Sequence, residues 1–327
     1  MSTTNQVAIS AEGLVKKYGT TTALDGVDLT VPTGTVLGVL GPNGAGKTTA
    51  VRILGTLLRP DAGHATVGGF DVVREAPRVR EIIGLTGQYA SVDEDMSGRR
   101  NLVMIGRLLG LPRMQAKARA DQLLERFELV EAGDRIAKTY SGGMRRRLDL
   151  AASLVGDPSI LYLDEPTTGL DPHARNGVWE TIRNLVLDGT TVLLTTQYLE
   201  EADALADSLM VFDKGRVVAS GRPAELKAQA GRQTLDVRPA EPGHLERVAA
   251  IVAESVGVRP TVDVVNAVVS APVPDGTSMP IVVRRLDEAG IAVTELSLRL
   301  PSLDEVFLAL TGHTAVQDTA VLEGAGR

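Results

Sequence analysis

One octapeptide limits what this chain can fold into more than any other: Gly41-Pro-Asn-Gly-Ala-Gly-Lys-Thr48, directly after the apolar run Val36-Leu-Gly-Val-Leu40. Glycines at such spacing let the backbone turn tightly and present successive N–H groups to phosphate oxygens. Helix formers follow from Thr48 to Leu58, and a helix starting here points its positive end at the same anion. The apolar run reads as a buried parallel strand feeding the loop. The expected phosphate contacts run through Gly41, Pro42, Asn43, Gly44, Ala45, Gly46, Lys47, Thr48 and Thr49. Lys47 is a flexible point charge suited to terminal phosphates. The Thr48 hydroxyl suits Mg²⁺.

A second stretch, Ile160-Leu-Tyr-Leu-Asp-Glu-Pro166, delivers two adjacent acids at the end of an apolar run. In an open parallel sheet that end opens on the ligand crevice. Asp164 is expected to hold the metal directly or through water, and Glu165, facing differently, to polarise an attacking water. On its own the pair would pass for solvated acids at a turn; beside the phosphate loop it completes a nucleotide site.

The 327 residues suffice for two domains. Between residues 7 and 222 apolar strands alternate with helical stretches, which means an α/β domain with a mostly parallel sheet. Residues 64–86 read as short strands. A helical insertion falls within about 90–150, with Leu102, Ile105, Leu108 and Leu109 on one face. Beyond Gly221-Arg-Pro223 the expected order is strand 234–238, helix 244–255, strand 262–270, helix 279–289, strand 292–300 and helix 302–311. That is a small α+β domain over 223–312, an order that would allow a ferredoxin-like module. Residues 313–327 lack periodicity and read as a disordered tail.

No run approaches the ~18 apolar residues a membrane-spanning helix needs, and Met1–Ser10 lacks an apolar signal core. Cysteine is absent, which removes disulfides and thiolate metal sites. With a net charge of −7 and no basic tract, nucleic acid is not an expected partner.

With these motifs in order, residues 7–222 resemble the ATP-binding cassette (ABC) ATPases. The resemblance implies ATP and Mg²⁺ as ligands. It places Tyr18 of Lys16-Lys-Tyr-Gly19 against adenine. It makes Gln88 of Thr86-Gly-Gln-Tyr89 a contact for Mg²⁺, water and the membrane partner. Tyr140-Ser-Gly-Gly-Met144 resembles the family signature, a second anion site built from the Ser141 hydroxyl and the Gly142 and Gly143 amides at a helix start. The family usually has glutamine where Met144 stands. Arg145, Arg146 and Arg147 read as a solvated helix face. In the family the signature meets ATP held by the opposite subunit, so the resemblance implies a head-to-tail homodimer, with Asp171 of Gly169-Leu-Asp171 crossing its interface. Gln197 stands where the family usually has histidine; an amide donates a hydrogen bond but cannot become cationic, so hydrolysis is expected to be slowed rather than abolished.

The whole chain more narrowly resembles the ATPases of daunorubicin/doxorubicin-resistance exporters, through Thr86-Gly-Gln-Tyr-Ala-Ser-Val-Asp-Glu94, Lys138–Leu148, Leu194–Asp203 and Leu303-Asp-Glu-Val-Phe-Leu-Ala-Leu-Thr-Gly312. This implies a separately encoded membrane permease, a place on the cytoplasmic side of the membrane, no direct contact with cargo, and a role for helix 303–312 in assembly. Three alternatives remain open: a soluble non-transport ABC ATPase, an importer ATPase, and a ligand-sensing role for the C-terminal domain.

Overall fold

The computed structural model describes residues 6–87, 92–229, 233–273, 277–299, 302–303 and 305–307. They fall into two compact units, one reaching to Pro223 and one starting at Ala224.

In the first unit, β1 (Val7–Tyr18) and β2 (Thr21–Pro32) form an antiparallel hairpin. The turn uses Gly19 at φ 59°, a conformation that costs glycine little. β3 (Val36–Leu40) then leads into α1 (Lys47–Leu54). α1 stops at Gly55 because Thr56 takes φ 63°, so the helix is one turn shorter than the run to Leu58 implies. β4 (Ala62–Val67) and β5 (Phe70–Asp71) complete a four-stranded antiparallel sheet. α2 (Ala76–Ile82) replaces the strand expected there; Pro77 opens it, and only Val79 is buried, which leaves little periodic signal.

β6 (Ile83–Thr86) pairs in parallel with β7 (Ile160–Asp164). The helical insertion leaves and returns between these neighbours as α3 (Gly98–Leu108), α4 (Arg113–Arg126) and α5 (Gly142–Ser153). α6 (Pro172–Leu187), β8 (Thr191–Thr196), α7 (Leu199–Leu205), β9 (Ser208–Asp213) and β10 (Arg216–Gly221) follow. The main sheet has the order β10-β9-β3-β8-β7-β6, parallel except for β10.

Every residue of β3, β7 and β8 is buried. Their side chains alternate between two cores, which is why the runs are apolar without a polar beat. Leu37, Val39, Tyr162 and Leu193 pack toward α1 and the antiparallel sheet. Leu161, Leu163, Val192 and Leu194 pack toward the helical insertion and α6. Gly38 lets β3 pack closely, since a Cβ there would lie 2.6 Å from the Leu209 side chain and 3.0 Å from Ala206.

In the second unit, α8 (Pro223–Gln229) precedes β11 (Gln233–Pro239), α9 (Leu245–Val256), β12 (Thr261–Asp263), β13 (Val268–Val273), α10 (Ser278–Glu288) and β14 (Val293–Arg299). The antiparallel order β12-β13-β11-β14 with this βαββαβ succession is ferredoxin-like. The single strand expected over 262–270 is in fact a hairpin. Asp263 accepts hydrogen bonds from the Asn266 backbone and side chain, and Ala267 takes φ 52°, so the chain reverses where two valines mask the turn. Leu245, Val248 and Val252 bury one face of α9 against Leu235, Val237, Val269 and Ala271. Of the last expected helix, Ser302 and Glu305 form a reciprocal capping box, and Leu303, Val306 and Phe307 are buried. Residues 308–327, including the expected tail, lie outside the described residues, as does Gln88.

Candidate functional site

The ends of β3, β7 and β8 meet at one point, because Leu40 pairs with Thr196 and Asp164 with Thr195. The loop Gly41–Gly46 rises from β3 there. Gly46 caps α1 at φ 106°, and a Cβ on it would lie 2.4 Å from the Ala23 carbonyl of β2. Its lack of a side chain therefore serves packing as well as turning. The loop is pinned from behind by Gly215, whose N–H donates to Ala45 O at 3.0 Å.

Lys47 is buried. Its Nζ donates to Gly41 O at 2.5 Å and to Pro42 O at 3.3 Å, and it stands 3.8 Å from Glu165 Oε1. Burial pulls its pKa down, and the charges of Glu165 and Asp164 oppose that shift. Thr48 Oγ1 donates to both Asp164 oxygens at 3.3 and 3.2 Å, while Thr195 Oγ1 donates to Asp164 Oδ1 at 2.5 Å. A hydroxyl and a carboxylate are hard oxygen donors that fit Mg²⁺. Among the described residues no group of three or more His, Asp or Glu could hold a metal by itself. Any cation here would need waters or phosphate oxygens to complete its shell, which is how Mg²⁺ usually binds.

Glu165 takes φ 50°, a left-handed conformation unusual for a side chain of its size. Its N–H donates to Thr195 O at 3.0 Å, and Thr168 Oγ1 donates to its Oε2 at 3.3 Å. The carbonyls of the residues before and after it are held from α5: Arg146 Nε donates to Pro166 O, and Nη2 to Asp164 O at 3.4 Å.

Ser141 caps α5, its Oγ accepting from Met144 N at 3.3 Å. Ser141 and Gly142 are exposed. A Cβ on Gly143 would lie 3.0 Å from Ala174, so this glycine also lets α5 approach α6. Asp171 caps α6, with Oδ1 accepting from Ala174 N at 2.9 Å. A groove of about 1400 Å³ joins these pieces, lined by Ser141, Gly142, Gly143, Leu170 and Asp171 among others. Tyr18 ends β1, 47% exposed, and pairs across the hairpin turn with Thr21, two residues before the Ala23 backstop of the loop. Gln197 directly follows β8, in a turn fixed by Tyr198 N donating to Thr196 Oγ1 at 2.9 Å.

The three consecutive arginines are not a solvated face. Arg145 donates to Glu94 at 2.8 Å, Arg146 to the β7 turn, and Arg147 to Phe127 O at 3.2 Å and Glu128 at 3.0 Å. Charge-run reasoning fails here because each side chain reaches a different carbonyl or acid across the subdomain. Sequence reading also misses Thr195, visible only as a polar residue ending an apolar strand, and Glu201. Glu201 is fully buried on α7 and accepts from Thr167 Oγ1 at 2.8 Å and Trp179 Nε1 at 3.2 Å. Burial pushes its pKa up, against the pull of those hydrogen bonds and of Arg146.

Comparison with known proteins places this geometry. An ATP-binding cassette of an ABC transporter in its ADP conformation superposes with a TM-score of 0.61 at 26% identity, covering 67% of this chain and 92% of that one. CbiO1 from Clostridium perfringens gives a TM-score of 0.64 at 27% identity, covering 68% and 91%. Residues 24–168 match the ABC transporter family. The first unit is thus an ABC-type ATP-binding cassette, and the chain is an ATPase subunit of an ABC transporter.

Residues 221–311 match the C-terminal domain of DrrA1-3-like ATP-binding proteins. The daunorubicin resistance ATP-binding protein DrrA3 of Streptomyces coeruleorubidus is 58% identical over 93% of this chain and 96% of its own length. The doxorubicin resistance ATP-binding protein DrrA of Mycobacterium tuberculosis is 46% identical over 99% of both. The chain belongs to the DrrA family of daunorubicin/doxorubicin-resistance ATP-binding proteins.

Proposed function

We propose that this chain powers efflux of a small hydrophobic molecule by closing in pairs around two ATP molecules beneath a separate membrane permease. The observation that carries this reading is the division of polar groups within one unit. Buried Lys47 and Asp164 converge with half-buried Thr48 and Glu165, while Ser141 and Gly142 stand exposed at the start of another helix. The first arrangement grips a triphosphate; the second is an anion site that needs an occupant brought by another copy.

In this reading the amides of Gly41–Thr49 and Lys47 hold the phosphate chain, and Tyr18 stacks on the base. Thr48 and Asp164 hold Mg²⁺, with Gln88 completing that shell; the ion would neutralise charge developing on the transferred phosphoryl. Glu165 orients and deprotonates water at the γ-phosphate, and Gln197 donates to the phosphoryl oxygens. Ser141, Gly142 and Gly143 bind the nucleotide of the opposite copy, and Asp171 crosses between them. Closure is driven by contacts made only in the paired state, and hydrolysis removes them.

Among the described residues no helix is long and apolar enough to cross a membrane, so the path for cargo belongs to a partner. A groove of about 700 Å³ bordered by Ile83, Leu85, Ile105, Leu109 and Leu111 is the surface we assign to that permease. In this reading the chain works on the cytoplasmic face of the membrane. Outward transport follows the resistance and export functions in the names of its relatives, including the Nod factor export ATP-binding protein I of Ralstonia nicotianae, 46% identical over 67% of this chain. The ferredoxin-like unit fits an assembly role better than a sensing one, because its open face pairs its own charges: Arg299 with Asp236 at 2.8 Å and Arg238 with Glu295 at 3.3 Å.

Light scattering on Glu165→Gln with Mg·ATP tests the pairing directly. A dimer that appears with ATP and disperses on its removal is expected; a permanent monomer refutes the sandwich.

A further inference from the structure

Arg146 sits on the helix that begins with Ser141, yet its guanidinium ends on the turn that carries Glu165. It bridges the Asp164 and Pro166 carbonyls, those of the residues immediately before and after Glu165. The residue between them is held at φ 50°, and a non-glycine residue persists there only when its surroundings over-determine it. Besides the Thr168 N–H on its own carbonyl at 3.4 Å, two restraints come from other elements: the Thr195 carbonyl and hydroxyl on the Glu165 N–H, at 3.0 and 3.2 Å, and Arg146 on the carbonyls of the residues before and after it. The first comes from the neighbouring strand and is fixed with the sheet. The second comes from α5, whose N-terminus is the exposed anion site. Burial pulls the pKa of this guanidinium down, and acidic groups from three elements oppose the shift: Asp149 on its own helix, Glu201 on α7 and Asp164 on β7.

We propose that Arg146 is a positioning residue that links the two half-sites within one chain. A nucleotide seated on Ser141 shifts or steadies α5, and Arg146 passes that to the aim of the Glu165 carboxylate. Hydrolysis in one site then depends on occupancy of the other through a rigid, five-residue lever on a single helix. A planar fork suits this task, because it grips two carbonyls at once; a lysine point charge grips one. The proposal rests on the reading of Glu165 as the group that activates water.

The test compares Arg146→Met, Arg146→Lys, Glu165→Gln and the parent as full-length chains, each calibrated by ATP-binding stoichiometry and melting temperature. Arg146→Met is expected to lose at least tenfold in kcat with KM for ATP within twofold. It should also accumulate the ATP-bound dimer in Mg·ATP, a state the parent does not build up. Arg146→Lys should recover part of kcat. In a cycle with Ser141→Ala the two losses should not multiply, since both act on one lever. Unchanged kcat, multiplying losses, or a loss matched by falling stoichiometry would overturn the proposal. Full activity in Glu165→Gln would instead overturn the reading of Glu165, so the two failures are told apart. If Arg146→Met does not fold, Arg146→Lys carries the same kcat and dimer measurements.

Discussion

The phosphate-loop face and the Ser141 face of the same unit are built on opposite plans. On the first, every group is locked from behind: Gly46 by Ala23, Ala45 by Gly215, Lys47 by two carbonyls, Asp164 by two hydroxyls. On the second, the serine and the first glycine are open to solvent, and only Gly143 is packed. A preorganised site costs stability and works alone. An open helix start costs nothing until something fills it. The difference is the one the proposed mechanism needs, with one face complete in itself and the other open to a partner, and each can be perturbed separately.

The largest effect is expected on the locked face. Lys47→Met should lower ATP turnover by about 10²–10³, the scale for losing one preorganised charge-stabilising donor. Its stability should move the other way. The folded-state pKa of Lys47 lies below its unfolded value, so the unfolded chain binds the proton more readily. The cost of burying this ammonium is therefore full below the lowered folded value and fades as pH rises from there to the unfolded lysine value. Removing it should leave the melting temperature without nucleotide at pH 7 equal or higher. A marked fall there would mean that the lysine is a structural strut.

Disturbing the open face should separate binding from turnover. Ser141→Arg should leave the affinity of a single subunit for ATP within about twofold, while ATP-dependent dimers vanish in light scattering and turnover drops more than tenfold. If subunit affinity fell as steeply as turnover, the two faces would not be independent and the contrast drawn here would fail.

The same contrast explains what the sequence could reveal. The locked face is written in consecutive residues, so Gly41–Thr48 and Leu163–Pro166 were readable without a structure. So were the parallel strands, whose two-sided burial leaves polar residues only at their ends. What escaped lies across the chain. Ala23, Gly215 and Thr195 act on the loop and on Asp164 from more than twenty residues away. Arg146 belongs to a charge run whose three members look alike in sequence and serve three different elements. In the second unit the helices follow their apolar spacing, whereas the β12–β13 turn hid behind Val264 and Val265, which read as strand. Alternation shows that a strand exists; only the Asp263–Asn266 hydrogen bonds show that it reverses.

A smaller effect should come from Gln197, at the edge of the locked cluster. Gln197→His introduces an imidazole, so the ATPase pH profile should gain a step near pH ~6.5 that the parent lacks, with turnover changing only a few-fold. A parent enzyme that already shows this step, assigned to the loop after β8, would contradict an amide in that role.

The smallest expected effect probes the floor beneath both faces. Glu201 is an acid buried without an ionic partner in hydrogen-bond contact, and burial raises its pKa above the unfolded value. The folded chain then binds this proton more tightly than the unfolded chain does. By linkage, stability is highest at acid pH and declines as pH rises from the unfolded carboxylate range through the raised folded value. Glu201→Gln keeps an acceptor for Thr167 and Trp179 but cannot ionise. Its melting temperature relative to the parent should therefore climb with pH by a few degrees, about the shift that 1 kcal/mol produces in a domain of this size. Trp179, the sole tryptophan, should report the same titration in its fluorescence, because its indole N–H donates to that carboxylate. A pH-independent difference in melting temperature, with unchanged emission, would place Glu201 among ordinary ionised acids and leave Arg146 holding the β7 turn without a titrating neighbour.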